Sequence, residues 1–265
     1  MMESKNLTSS NYFSSEANKS FWSVSQFKAF DNCEAAAMAE LEGEHEREMT
    51  KALLIGSYVD AYFSHELDEF MGEFGGVVYT KKGELRAEYG HANEIIDRIE
   101  SDSLMMEFLT RGDTQVIRTG ELFGVDWKIK IDVLHGDKIV DLKIVKDFDD
   151  VYKDGFGYRP WIEAWGYDIQ GAIYQRIEQI SSGRPEPLPF YIVAATKEKT
   201  PDIDIVQIPQ HVLDAAFKVV EHKIDHFDLV KNGDIEPKHC GICDYCKKTK
   251  VLTEPRVYEI AEATD

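Results

Sequence analysis

The chain has 265 residues, of which 43% are hydrophobic and 11% aromatic, and this is enough apolar material for a sizeable buried core. Its 49 acidic and 30 basic residues give a net charge of −19, which excludes a protein that attracts phosphate backbones over its whole surface. The sequence contains no run of eighteen apolar residues and no apolar stretch near its polar start. We therefore expect a soluble, cytoplasmic protein without a membrane segment.

The apolar periodicity predicts helices in the first half of the chain and strands after them. The expected helices cover residues 24–41, 50–70 and 84–110, with a short strand at 75–79. Strands follow near 115–122, 126–134, 138–146, 190–196 and 203–208, and further helices are expected at 160–180 and 209–231. This order predicts an α/β fold of the α+β type, with a mixed central sheet flanked by helices.

The motifs described below run from residue 23 to residue 246 and would have to meet at one site, which favours one domain. We expect a flexible N-terminus at 1–20, a single domain at 21–250 and a tail at 251–265. No internal repeat or low-complexity segment suggests otherwise.

The segment 127–145 has the pattern of a β-hairpin with Gly136 and Asp137 as its two-residue loop. In that register Asp132 lies opposite Asp141, and Lys130 lies opposite Lys143. Strand alternation then places the apolar residues together on the other face; these are Ile129, Ile131, Val133, Val140, Leu142 and Ile144.

Two facing aspartates destabilise a sheet unless something offsets their charge. A divalent cation is one solution, because carboxylates suit Mg²⁺ or Mn²⁺ and Mg²⁺ takes further ligands from water and phosphate. Lys143 points the same way as Asp141 and could assist a water molecule or offset charge on a phosphate. The alternative is that Lys130 and Lys143 simply neutralise the aspartates on a solvated face.

The pattern of Asp132 followed by Asp141-Leu142-Lys143 resembles the D…(D/E)xK core of the PD-(D/E)xK nuclease superfamily. Gln170 and Tyr174, at i and i+4 of the next predicted helix, match the QxxxY motif of its RecB/RecE-like branch, which includes exodeoxyribonuclease VIII. An ordinary amphipathic helix would also carry such a pair. The resemblance implies a restriction-endonuclease-like core, with Gln170 and Tyr174 beside the catalytic residues.

An upstream helix carries Gly56 and Asp60 one turn apart, where similar nucleases have a G-x-x-x-H motif with a metal-binding histidine. The resemblance makes Asp60 a candidate third metal ligand beside Asp132 and Asp141, because a carboxylate can also hold Mg²⁺. Asp60 could equally be a solvent-facing helix residue.

All four cysteines belong to one pattern that resembles the iron–sulfur nucleases of this type. Cys33 follows an S-x-S-x-hydrophobic opening at Ser23, and Cys240, Cys243 and Cys246 are spaced CxxCxxC. This C-terminal cysteine knuckle could hold a [4Fe–4S] cluster, or Zn²⁺ with four thiolates or with His239. Reduced, metal-free thiols remain the alternative.

The loop at 153–161 combines glycines, aromatic residues and basic residues between the lysine strand and the QxxxY helix. Such a loop could stack bases, grip phosphate or fold back on its own helix.

The resemblance implies a bacterial or phage-encoded, metal-dependent exonuclease that hydrolyses DNA at linear duplex ends in phage-type recombination. A ring-shaped homo-oligomer or a single-strand annealing partner would compensate for the acidic surface. The alternative is a module that keeps the nuclease fold and binds DNA or a partner without turnover.

Overall fold

The structure, a computed structural model, describes residues 7–46, 48–153 and 155–255. Its helices are α1 Ser15–Ser20, α2 Val24–Asn32, α3 Glu34–Glu42, α4 Lys51–Phe63, α5 Leu67–Val78, α6 His91–Glu100, α7 Ser103–Thr110, α8 Trp161–Ala164, α9 Tyr167–Ser182, α10 Gln210–Lys231 and α11 Asp244–Lys248, with a 3₁₀ turn at Ala87–Tyr89. Its strands are β1 Asp113–Leu122, β2 Val125–Leu134, β3 Ile139–Val145, β4 Val151–Lys153, β5 Gly157–Arg159, β6 Phe190–Thr196 and β7 Ile203–Gln207.

The central sheet has five strands in the order β1-β2-β3-β6-β7. Strands β3 and β6 run parallel and every other neighbouring pair is antiparallel. The parallel pair requires a crossover, and the chain between the two strands supplies it as the β4–β5 hairpin, α8 and α9. The predicted mixed sheet flanked by helices is confirmed.

Two hydrophobic cores cover the two faces of this sheet. The first core includes side chains of α2, α9 and α10, and the second includes side chains of α4, α6 and α7. Alternating residues of β6 divide between them, so that Ile192 joins the first core and Val193 the second. The sheet is therefore buried on both faces.

The predicted hairpin loop is confirmed, because the His135 backbone N–H donates to the Lys138 carbonyl across Gly136 and Asp137. The β2–β3 register pairs Leu134 with Ile139 and Val133 with Val140, as expected. Pairing ends there, so neither Asp132 with Asp141 nor Lys130 with Lys143 is a cross-strand pair, and that part of the prediction was wrong.

The strands separate at Asp132. Its Oδ2 accepts a hydrogen bond from the Leu142 backbone N–H at 2.8 Å, and the side chain thereby takes the place of a backbone partner. Asp132 is also missing from the β1–β2 ladder, opposite Gln115, which has a φ of 53°. The departure from regular strand geometry places Ile131 in the first core and Val133 in the second, whereas regular alternation predicted a shared face.

The single apolar face predicted for the hairpin was therefore wrong. Ile129 and Ile131 pack in the first core, while Val133, Val140, Leu142 and Ile144 pack in the second. The split matters for the site, because it opens the sheet between β2 and β3 beside their acidic residues.

Several local predictions also differ from the structure. The helices expected at 24–41, 50–70 and 84–110 are each divided into two, as α2 and α3, α4 and α5, and α6 and α7. Residues 75–79 were expected to form a strand, yet residues up to Val78 belong to α5, because the apolar positions of this segment pack at helical intervals. The helix expected from Pro160 to about Ile180 is broken into α8 and α9 at Gly166, which has a φ of 63°. The break lets α9 begin beside β3.

No helix within the described ranges is long and apolar enough to cross a membrane. The segment before residue 21 contributes α1 and the buried Tyr12 and Ala17. The domain limits at residues 20 and 250 stay predictions, and most of the predicted tail, from residue 256 on, lies outside the described residues.

Candidate active site

Asp141 is the most buried acidic residue of the site, with 1% of its surface exposed, although it lies in the middle of β3. A carboxylate in such a position needs partners, and two are present. The Lys143 ammonium lies 2.5 Å from Asp141 Oδ2, and Gln170 Nε2 donates to Oδ1 at 2.6 Å. Since Asp141 and Lys143 are two residues apart on one strand, they face α9, which carries Gln170.

Asp132 lies across the gap between β2 and β3. Burial raises the pKa of Asp132 well above its ordinary value, and the nearby carboxylates of Asp141 and Asp60 raise it further against the opposing charge of Lys143. Asp132 and Asp141 repel each other across this gap, beyond the point where the pairing of β2 with β3 ends. A cation at this place would relieve the repulsion.

Asp60 reaches the same cleft from α4, which packs on β3 near Gly56; a Cβ at Gly56 would lie 3.8 Å from Ile144 Cβ. Burial raises the pKa of Asp60 to about 6, with Lys143 opposing the shift and Asp141 adding to it. Asp60 is thus directed toward the other two aspartates rather than toward solvent.

Tyr174 lies one turn after Gln170 on α9 and is buried. Burial raises the pKa of Tyr174 well above its ordinary value, and Tyr12, Asp141 and Asp132 add to the shift. The structure therefore brings together every residue that the sequence nominated for catalysis, in one cleft of about 990 Å³.

Three residues that interact with charged groups of this cleft were not predicted as site residues. Glu66 forms an ion pair with Lys130 at 3.0 Å, and Tyr12 lies near enough to Asp132 for that charge to raise its phenol pKa further after burial has raised it. The ring centroid of Tyr167 is 5.5 Å from Lys143 Nζ. Glu66 had no sequence signal, whereas Tyr167 lies three residues before Gln170 and could have been included on helical spacing.

The donor set of the cleft suits a hard divalent cation, because three carboxylates from three elements repel one another there. Among the described residues, however, these carboxylates do not bring three oxygens within 4.8 Å of one another. Asp141 is engaged by Lys143 and Gln170, and Asp132 is engaged by the Leu142 N–H. The three carboxylates therefore point into one cleft, but they do not form a closed set of metal ligands.

The four cysteines form a second, closed cluster elsewhere in the protein. Their sulfur atoms all lie within 4.8 Å of one another, with Cys33 Sγ 3.5 Å from Cys246 Sγ and Cys240 Sγ 3.9 Å from Cys246 Sγ. The cysteines are free thiols rather than disulfides. His239 Nδ1 lies 3.4 Å from Cys246 Sγ at the edge of the cluster.

Buried Glu34, the residue after Cys33, holds this cluster together. Its carboxylate contacts His226 of α10 at 3.0 Å and accepts a hydrogen bond from the Lys238 backbone N–H at 2.9 Å. The Ala35 N–H donates to the Lys238 carbonyl in return. The loop that leads to Cys240 is thereby fixed against the start of α3.

The thiols differ in their electrostatic surroundings. The backbone N–H of Ile242 donates to Cys240 and is the main reason that its pKa falls to about 6. Burial raises the pKa of Cys243 to about 12 and also raises that of Cys33. Cys240 is thus the thiol that loses its proton most easily, and a bound metal would favour the deprotonated form of the other cysteines as well.

Comparison with known proteins identifies two informative similarities. The model of the PDDEXK-like domain of unknown function (DUF3799) matches residues 23–249. The crystal structure of a presumed exonuclease from Eubacterium rectale is 44% identical, with a TM-score of 0.88, and the match covers 95% of this chain and 96% of that chain.

A further solved structure matches at 15% identity with a TM-score of 0.29, over 79% of this chain and 89% of that chain, which is too weak to carry an argument. No curated protein matches the chain.

Proposed function

Because the chain belongs to the PDDEXK-like family, as the match over residues 23–249 and the 44% identical structure establish, we propose that it is a Mg²⁺-dependent exodeoxyribonuclease. The family supports a nuclease at the coarse level. The observation that carries the finer proposal is the convergence of Asp132, Asp141 and Lys143 in one cleft with Gln170 bonded to Asp141.

Each residue of the cleft has a role that follows from its contacts. Asp132, Asp141 and Asp60 would hold Mg²⁺ or Mn²⁺, which supplies charge stabilisation on the phosphate and a more acidic water. Lys143 orients the attacking water and offsets charge on the phosphate. Gln170 holds the Asp141 carboxylate in place, and Tyr174 lines the cleft where DNA or Lys143 is positioned.

We infer that the substrate is a linear duplex end in phage-type recombination, cleaved to phosphate-terminated nucleotides. The net charge of −19 makes simple electrostatic capture of DNA weak. A ring-shaped homo-oligomer or a single-strand annealing partner that holds the DNA would compensate. Such a protein acts in the cytoplasm.

The decisive experiment incubates end-labelled linear DNA and closed circular DNA with Mg²⁺. Linear DNA should be digested while circles stay intact; nicked circles would instead indicate an endonuclease. Asp141→Asn should lower cleavage by about 10³-fold or more, because it removes a charged metal ligand in the cleft.

Asp137→Asn is the matched control, since this aspartate lies in the loop of the same hairpin, is exposed and pairs only locally with Lys138. It should keep wild-type activity. Full activity of Asp141→Asn would end the catalytic assignment.

A second candidate is a module that keeps the fold without turnover. The observation in its favour is that Asp60 stands where related nucleases have a histidine and that the carboxylates are engaged by protein partners. Calorimetry separates the two, because the enzyme should bind Mg²⁺ or Mn²⁺ at millimolar concentration or tighter and lose binding in Asp132→Asn. Absence of any binding favours the module.

At the four cysteines we propose a structural metal. Sulfur separations of 3.5 and 3.9 Å favour a single ion such as Zn²⁺, because Zn–S bonds of about 2.3 Å in a tetrahedron place sulfurs about 3.8 Å apart. A [4Fe–4S] cluster holds its thiolates farther apart around four irons. Zinc analysis of anaerobically purified protein tests this, and a brown colour with absorbance near 400 nm would identify the iron–sulfur cluster instead.

A further inference from the structure

The β4–β5 hairpin carries aromatic side chains that the fold leaves in solvent. Tyr152 and Tyr158 are opposite each other in its register, with ring centroids 5.5 Å apart and an edge-to-face geometry. They are 60% and 71% exposed, and Phe156 at the turn is 72% exposed. Exposing three large aromatic rings to water is unfavourable, and a group of exposed apolar side chains is typical of a binding site.

Among the residues that the structure describes, exposed aromatic side chains are confined to this part of the molecule. Within the described ranges, the strongly exposed Phe, Tyr and Trp side chains are Phe13, Tyr152, Phe156, Tyr158 and Trp165. Phe13 and Trp165 line the catalytic cleft, and the other three lie on the hairpin. Elsewhere in the described ranges the exposed large apolar side chains are all non-aromatic, so the aromatic character distinguishes this surface.

The hairpin is joined to the catalytic elements at both ends. It follows β3, which carries Asp141 and Lys143, and it leads through α8 into α9, which carries Gln170. Lys153 on β4 lines the cleft, and its Nζ lies 4.7 Å from the centre of the Trp165 ring. The aromatic surface is thus continuous with the cleft through Lys153 and Trp165.

The charges around the hairpin decide what kind of ligand it suits. Lys146 is paired with Asp147 at 2.7 Å, Arg159 lies 3.8 Å from Glu163, and exposed acidic residues flank them. A surface of this kind gives little attraction to the phosphate backbone of any DNA, and a duplex keeps its bases stacked and hidden from the rings. Unpaired bases expose faces that stack on aromatic rings irrespective of sequence.

We propose that the hairpin is a stacking platform for unpaired nucleotides, so that the preferred substrate is a DNA end with a single-stranded segment rather than a blunt duplex. The inference rests on the proposed nuclease function and specifies its substrate class. The unpaired strand crosses Tyr152 and Tyr158 and enters the cleft past Trp165 and Lys153.

The test measures binding by fluorescence anisotropy in metal-free buffer, with a labelled oligothymidine strand and a blunt duplex of equal length. The wild-type full chain should bind the single strand more tightly. Replacing both Tyr152 and Tyr158 with alanine should weaken single-strand binding by about fivefold to about a hundredfold for each stacked base lost, and leave duplex binding unchanged. Phe156→Ala, at the turn, should weaken it in the same direction.

The matched control replaces Tyr152 and Tyr158 with phenylalanine, which keeps the rings and should keep binding. In a second arm, the alanine variant should lose activity on duplexes with overhangs while hydrolysing bis(p-nitrophenyl) phosphate, a small diester, at the wild-type rate. If wild type does not digest end-labelled linear DNA with Mg²⁺, the nuclease function fails, yet the binding arm still judges the platform. Equal single-strand binding by wild type and the alanine variant, or wild-type preference for blunt duplex, overturns the proposal.

Discussion

The acidic cleft and the cysteine cluster are both candidate metal sites, but they are built in opposite ways. Among the described residues the four cysteine sulfurs lie within 4.8 Å of one another, whereas the three cleft carboxylates do not gather so closely. In the cleft, other protein groups already contact the carboxylates. Lys143 forms an ion pair with Asp141, which also accepts a hydrogen bond from Gln170. Closed four-ligand sites are typical of structural metals, and open ones are typical of catalysis.

The difference follows from where the ligands come from. Cys240, Cys243 and Cys246 lie within seven residues, so local backbone geometry brings them together and only Cys33 must be added from afar. The candidate ligands of the cleft come from α4, β2 and β3, and burial, followed by their mutual repulsion, raises the pKa of Asp60 and Asp132. The cleft therefore holds carboxylates whose repulsion a divalent cation would relieve.

The strongest test of the contrast is Lys143→Met. It should lower DNA cleavage by about 10²- to 10⁴-fold, because the group that assists the water is gone. It should not weaken Mg²⁺ binding, since Asp141 loses the ammonium that competes for its oxygen. Cleavage assays and calorimetry measure the two effects.

Lys138→Met is the control for that variant, because Lys138 lies in the same hairpin and pairs with exposed Asp137. It should change neither quantity. If Lys143→Met instead lost metal binding and kept its activity, the role assigned to Lys143 would be wrong.

Cys33→Ser should have the next largest effect, and it falls on stability. We expect loss of bound metal and a decrease of a few kcal/mol in the free energy of unfolding, because the ligand that ties the C-terminal knuckle to α3 is removed. Metal analysis and thermal unfolding measure this. The molecules that remain folded should cleave DNA at the wild-type rate.

A chelator titrated into the wild type provides the comparison, and it should reproduce the stability loss. Unchanged metal content and unchanged unfolding in Cys33→Ser would mean that the cluster does not hold a structural metal.

Gly171→Ala should have a smaller effect, on the packing of α9 against the first core and through it on the cleft. A Cβ at this position would lie 2.7 Å from Phe190 Cδ1 and 2.9 Å from Leu213 Cδ2, so α9 must shift. We expect a loss of about 1–3 kcal/mol in stability and reduced cleavage, because the neighbouring Gln170 moves with the helix. Metal at the cysteines should be unaffected.

Gly72→Ala is the matched helix variant, because nothing lies within 4 Å of its added Cβ on α5. It should stabilise the protein by about 0.5–1 kcal/mol through helix propensity alone. Equal effects of the two substitutions would contradict the close packing of α9 on β6.

The sequence predicted those parts of the site in which neighbours along the chain are neighbours in space. The Gly136-Asp137 loop fixes the register that brings Asp132 to the level of Asp141, and helical spacing relates Gln170 to Tyr174. The assumption of regular alternation failed at Asp132, where a side chain replaces a backbone partner. Nothing local in the sequence marks that replacement.

By itself, then, the sequence determined the hairpin, the mixed sheet and the chemical identity of the two sets of candidate ligands, because short-range geometry and residue type suffice for these. Only the tertiary structure decided that Asp60 faces the cleft, that Glu66 pairs with Lys130 across 64 positions, and that β2 and β3 separate. Those features depend on packing α4 and α9 against opposite faces of one sheet. Such packing is a balance of many long-range contacts that no single segment encodes.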